Sequence, residues 1–165
     1  MTLTSPKHPL RPTTRVLLLD RQDRILLLKG RPHANAKGEG AWFTVGGGLE
    51  PGETHHDAAA REIVEETGFH DFELGAVVWV REGVLAIPEP THFREQYIVA
   101  RCQGREPRRD GWTSVERELI EDIRWWTLDD LQTTAERVFP PGLAGLLSPI
   151  LRGLFPATPL SIPWD

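Results

Sequence analysis

The chain has 165 residues, 39% hydrophobic and 26% charged, with 24 Asp and Glu against 19 Lys and Arg and a net charge of −5. That balance describes one folded domain rather than a disordered segment, and its sign speaks against a duplex nucleic-acid binder, which needs a basic face. Cys102 is the only cysteine, so an internal disulfide and a cysteine-rich zinc site are excluded.

Met1 to Pro12 is polar and proline-punctuated, which sets it apart as an N-terminal extension. It lacks the apolar core of a signal peptide, and no later apolar run approaches membrane-spanning length. A cytoplasmic protein without membrane contact is therefore expected. Arg15 to Leu19 and Ile25 to Lys29 read as buried strands joined by the polar turn Asp20 to Arg24. A long loop, Gly30 to Gly40, carries Arg31, His33 and Lys37. Ala41 to Val45 reads as a strand stopped by Gly46, Gly47 and Gly48, where the backbone can approach a ligand closely.

From Thr54 to Thr67 the pattern is helical, with Thr54 as cap, Asp57 three residues on and Gly68 as the left-handed stop. Leu74 to Val80 and Val84 to Ile87 read as strands on either side of Glu82-Gly83, and Gln96 to Cys102 as another. Gln103 to Thr113 is a polar loop, Ile123 to Trp126 a short strand, and Thr127 to Asp130 the start of a capped helix. The apolar stretch Leu143 to Leu154 is broken by Pro149 and followed by a proline-rich tail, residues 156–165. Strands interleaved with helices predict one α/β domain over residues 13–155, a mixed sheet covered by helices on both faces.

The chemistry lies between Gly47 and Phe69. On a helix turning about 100° per residue, Glu62, Glu65 and Glu66 fall within about one third of the circumference, with Ala60, Ile63, Val64 and Thr67 roughly opposite. Like charges so placed destabilise a bare helix by a few tenths of a kcal/mol per pair. Divalent cations with oxygen ligands are the natural compensation, and they allow an acidic chain to hold polyphosphate. Arg61 lies next to Glu65 in projection and can reach back toward Glu53, an arrangement that orients carboxylates.

This stretch resembles the Nudix box, G-x5-E-x7-R-E-U-x-E-E-x-G-U, where U is a bulky apolar residue. Gly47, Glu53, Arg61, Glu62, Ile63, Glu65, Glu66, Gly68 and Phe69 fill every defined position. The resemblance implies a Nudix-type α/β/α sandwich with a mixed β-sheet. It also implies Mg²⁺ or Mn²⁺ held by Glu62, Glu65 and Glu66, with help from Glu53 and the Gly46 carbonyl. The implied reaction is hydrolysis of a phosphoanhydride in a nucleoside polyphosphate or a nucleoside diphosphate derivative such as a nucleotide sugar. A catalytically silent nucleotide-binding module is the rival, although such proteins usually lose box glutamates.

Nudix enzymes often draw a further carboxylate from late in the fold. Glu116, Glu118, Glu121 and Asp122 are the candidates, and Glu118 and Glu121 are preferred because they precede the Trp125-Trp126 strand most closely. With Glu62 and Arg61 they complete the expected catalytic set. Arg31, His33, Lys37, Arg105, Arg108 and Arg109 are candidate phosphate contacts, since the Arg fork suits phosphate oxygens; Gly47 and Gly48 offer bare backbone. Trp42, Phe43, Phe93 and Tyr97 are candidates to stack on a base. Trp42 and Phe43 must face opposite sides of a strand, and Phe43 is assigned to the core. Markers of the Nudix subgroups are missing: Gly83 and Val84 stand where ADP-ribose hydrolases carry proline, and Leu85 or Ala86 where diadenosine polyphosphate hydrolases carry tyrosine. The specific substrate and the choice between monomer and homodimer stay open.

Overall fold

Along Val16, Leu17, Leu18 and Leu19 every side chain is fully buried, which requires cover on both faces of the strand they form. The computed structural model, which describes residues 8–31, 38–86 and 89–165, supplies that cover. His33 and Lys37, proposed as phosphate contacts, and Ile87, the end of a predicted strand, lie outside the described residues.

The elements run β1 (Leu10–Leu19), β2 (Ile25–Gly30), β3 (Ala41–Gly48), α1 (His55–Thr67), β4 (Phe72–Leu85), β5 (Thr91–Cys102), α2 (Ser114–Leu119), β6 (Ile120–Trp126), α3 (Leu128–Thr133), α4 (Leu143–Leu151) and β7 (Leu160–Ser161). They build one mixed seven-stranded sheet in the order β6-β2-β3-β1-β5-β4-β7. β1 pairs in parallel with β5, and β4 with β7. Val16 and Leu18 pack with Ala59 and Ile63 of α1 on one face. Leu17 and Leu19 pack with Leu131 of α3 and Leu147 and Ile150 of α4 on the other. The expected layered α/β architecture is present. No helix among the described residues is long and apolar enough to cross a membrane.

The helix caps follow the local sequence. Thr54 and Asp57 form a reciprocal capping box at the start of α1, Gly68 ends it in the left-handed region at φ 74°, and Thr127 and Asp130 repeat the box at α3. Long-range strand pairing, and at one point a local cap, change five other readings. β1 starts at Leu10, because its parallel ladder with β5 runs from Leu10 opposite His92, and this takes up part of the expected extension. Gly46 to Gly48 belong to β3 and pair with Arg15 to Thr13 rather than ending the strand. β4 runs unbroken through Glu82-Gly83, where a break was expected, because Arg94 and Phe93 of β5 pair with those residues. Thr113 to Leu119, read as the end of a loop and an acidic segment, holds α2 with its own Thr113–Glu116 capping box. The tail also joins the sheet: Leu160 and Ser161 pair with Trp79 and Val80, and Ile162 is buried.

Candidate active site

Arg61 is the hinge of the site. Its Nε donates to Glu53 Oε2 at 2.8 Å and its Nη2 to Glu53 Oε1 at 2.8 Å. Nη1 donates to Glu62 Oε1 at 3.0 Å and to Glu65 Oε2 at 3.2 Å, while Nη2 also reaches the Gly48 carbonyl at 3.2 Å. One guanidinium thus ties the β3 glycines, the following turn and the acidic face of α1 together. These bonds hold the Glu53 carboxyl down at about 2, the side-chain bonds from Arg61 being the main cause and a backbone bond at Glu50 the next.

The helix is more deeply set than its periodicity suggests. Glu62 and Glu66 are buried alongside Ala58, Ala59, Ile63 and Thr67, whereas Ala60 and Val64 remain half-buried. Two of the three acidic side chains are therefore buried, and Glu65 at the edge of the face stays half-buried. Burial first, and the neighbouring Glu62 second, raise the Glu66 carboxyl well above the usual carboxylate range. The same two causes raise Glu65 more modestly, against the pull of Arg61. Glu66 Oε2 is buried without a hydrogen-bond partner. A β-carbon on Gly47 would collide with the Glu62 carboxylate, so glycine is what lets the strand and the helix carboxylates meet.

A cavity of about 430 Å³ opens over this cluster. It is lined by Gly46 to Gly48, Glu62, Glu65 and Glu66, by Gly30, Arg31, Phe43 and the Ile120 paired with Gly30, and by Val115 and Glu116. Arg11 closes the rim. Glu116, at the start of α2, adds negative charge that raises both Glu65 and Glu66.

The donor set suits a hard divalent cation. It is all oxygen, it includes an unpartnered buried carboxylate oxygen, and its charge is disfavoured by burial until a cation arrives. Among the described residues no group of three or more His, Cys, Asp and Glu side chains is arranged to hold an ion as it stands. Glu62, Glu65 and Glu66 would hold the ion, with Glu53 and the Gly46 carbonyl nearby.

Several sequence candidates lie elsewhere. Trp42 is in the core on the opposite face of the sheet, edge-on to Trp126 with ring centroids 4.9 Å apart. Phe43, assigned to the core, is half-buried against the core on the α1 face and also lines the cavity. Strand alternation separates these neighbours, but the pairing of β3 decides which of them faces which layer. Tyr97 is buried with Trp79, and its hydroxyl donates to Glu95 at 3.2 Å, so it too is removed from the cavity. Arg109 stacks over Trp112 at 5.0 Å and stands outside the lining. Arg31 lines the cavity and lies 3.3 Å from Glu121 Oε1. Glu118 and Glu121 are exposed and outside the lining, whereas Glu116 is part of it. The spacing Thr113-x-x-Glu116 was the legible signal, since it marks a helix start and so fixes which glutamate faces α1.

A sequence model of the NUDIX domain matches residues 9–144. The chain is 29% identical over 148 residues to mRNA-decapping enzyme subunit 2 of Arabidopsis thaliana, covering 87% of this chain and 36% of that protein. It is 35% identical over 79 residues to the human 8-oxo-dGDP phosphatase NUDT18, covering 44% of this chain and 24% of that protein. It therefore spans only about a third and a quarter of these relatives' lengths. Among solved structures, a NUDIX hydrolase from Nitrosomonas europaea superposes with a TM-score of 0.66 at 21% identity, covering 89% of this chain and 91% of that one.

Proposed function

The chain belongs to the Nudix hydrolase family, and from that premise we propose that it hydrolyses a phosphoanhydride bond in a nucleoside polyphosphate or a nucleoside diphosphate derivative, using Mg²⁺ or Mn²⁺. The observation that carries this reading is the buried Glu62–Glu66 pair, with one Glu66 oxygen unpartnered beside an open cavity. Two carboxylates kept out of water are costly unless a cation or a proton compensates them. Bound divalent cations would activate a water and neutralise charge on the departing oxygen.

The chain's own residues divide the remaining work. Arg61 keeps Glu53, Glu62 and Glu65 in one geometry, and Gly46 to Gly48 let the ligand approach the backbone. In this reading Glu116, which lines the cavity from the start of α2, accepts a proton from the attacking water. Phe43 gives the cavity an apolar wall against which a base or sugar can rest.

The test is release of phosphate, pyrophosphate or nucleoside monophosphate over a panel of nucleoside triphosphates, nucleoside diphosphates and nucleotide sugars, with and without Mg²⁺. Cation-dependent turnover of at least one compound is expected. Binding without turnover throughout the panel would replace the hydrolase with a nucleotide-binding module.

A further inference from the structure

Three arginines line the cavity, and they differ in what they are free to do. The Arg61 guanidinium is taken up by Glu53, Glu62, Glu65 and the Gly48 carbonyl. Arg31 stands 3.3 Å from Glu121. Arg11 is exposed, and no ion pair among the described residues includes it. It is nonetheless held in place. In the parallel β1–β5 ladder Arg11 lies opposite Phe93, and its guanidinium sits 5.7 Å from the centre of that ring. Its Nε lies 3.0 Å from where a β-carbon on Gly48 would stand, so the bare glycine gives the guanidinium its place at the rim.

Phe93 is itself backed by the end of the chain. Trp164 stacks on it with centroids 6.2 Å apart and planes 15° from parallel. Trp164 also lies against the Arg81 guanidinium at 4.4 Å, and its carbonyl accepts from Arg81 Nη1 at 3.3 Å. Arg81 is anchored by the buried Glu95 at 2.8 Å. Beneath the indole, a β-carbon on Gly83 would collide with Trp164, so the strand is left bare where the tail docks. A line of contacts runs from the tail through two rings to an exposed cation at the rim of the acidic cavity.

We propose that Arg11 binds a phosphate group of the substrate at the glycine rim, and that the C-terminal tail, through Trp164 and Phe93, is the element that positions it. The proposal rests on the polyphosphate reading of the cavity. Glu62, Glu65 and Glu66 line the part of the cavity where such a ligand would react, and the divalent cations they would hold would balance the charge there. Arg11 supplies a planar, permanently charged fork at the outer edge, which matches phosphate oxygens in pairs. The ring beneath it reduces the freedom the side chain must lose on binding.

The experiment is calorimetric titration of α,β-methylene-ADP, which cannot be cleaved at the bridging position, into the protein with Mg²⁺. Arg11→Ala should weaken binding about tenfold or more, the scale of one charge-assisted contact, with Mg²⁺ affinity unaltered. Arg11→Lys should recover part of the loss. Trp164→Ala, and independently Gly83→Ala, should each weaken binding severalfold while Trp164→Phe retains it. In hydrolysis, KM should rise in these variants more than kcat falls. Wild-type affinity in Arg11→Ala overturns the proposal; wild-type affinity in both Trp164→Ala and Gly83→Ala overturns the part assigned to the tail. If the wild-type protein neither binds this probe nor hydrolyses any nucleotide of the panel, the polyphosphate reading itself fails, an outcome distinct from both.

Discussion

Arg61 grips Glu53 with two parallel hydrogen bonds, Nε to Oε2 and Nη2 to Oε1, each 2.8 Å long. This fork sets the geometry between β3 and α1, and lysine cannot reproduce it. Arg61→Lys is expected to lower kcat by about 10²-fold, the usual cost of a small misplacement of catalytic groups, with the fold retained by circular dichroism. The pair also has a pH signature. Glu53 is held at about 2 in the folded chain, below its unfolded value of about 4.3, so its contribution to stability is fully present above the unfolded value. It fades as pH falls through the folded value. The difference in Tm between wild type and Arg61→Met should thus narrow between about pH 4.3 and pH 2; a constant difference across that window would remove Glu53 as the cause.

Glu62 and Glu66 repel each other in a buried setting, and burial with Glu62 raises the Glu66 carboxyl. Replacing both by Gln should leave the metal-free protein as stable or make it more stable. Mg²⁺ should raise the Tm of the wild type by linkage and scarcely move that of the double variant. Hydrolysis should collapse in Glu66→Gln alone. Equal Mg²⁺ shifts in the two proteins, or near wild-type turnover in Glu66→Gln, would place the cation elsewhere.

Glu116 lines the cavity and raises Glu65 and Glu66 electrostatically, whereas Glu118 and Glu121 stand outside the lining. Glu116→Gln should lower kcat by about 10²-fold or more, the scale of general-base removal. Glu118→Gln and Glu121→Gln should cost less than about tenfold by the same yardstick. Steady-state rates of the three variants decide the point; a ranking with Glu118 or Glu121 lowest would move the base off the α2 terminus.

Glu95 is buried between Arg15 and Arg81, bonding Arg81 at 2.8 Å and Arg15 at 3.3 Å. Burial alone would raise its carboxyl, but the two guanidinium groups overcome that and hold it below the usual range. Arg81→Met leaves this charge half-compensated and loosens the seat of Trp164. A loss of about 3–5 kcal/mol is expected, as for other buried pairs deprived of one partner. Denaturant unfolding measures it, and a loss under about 1 kcal/mol, the scale of an exposed pair, would show that water reaches the pair.

The sequence by itself determined what depends on neighbours along the chain: the capped helix from Thr54 to Gly68, the acidic face made by Glu62, Glu65 and Glu66, and the reach of Arg61 to Glu53. Helical spacing and caps act within one or two turns, so their geometry is written locally. Tertiary structure decided what depends on pairing between distant strands. It put Phe43 rather than Trp42 at the cavity, because a one-residue change of face leaves an aromatic pair equally well patterned. It lowered Glu62 and Glu66 into the protein, since α1 packs on β1 and β3 along a line its periodicity does not fix. It brought Glu116 opposite the box and Arg11 to its rim. It also folded the proline-rich tail onto β4, where Gly83 leaves the space that Trp164 fills. Such contacts join residues far apart in the chain, and their free energy exists only once the sheet has closed around them.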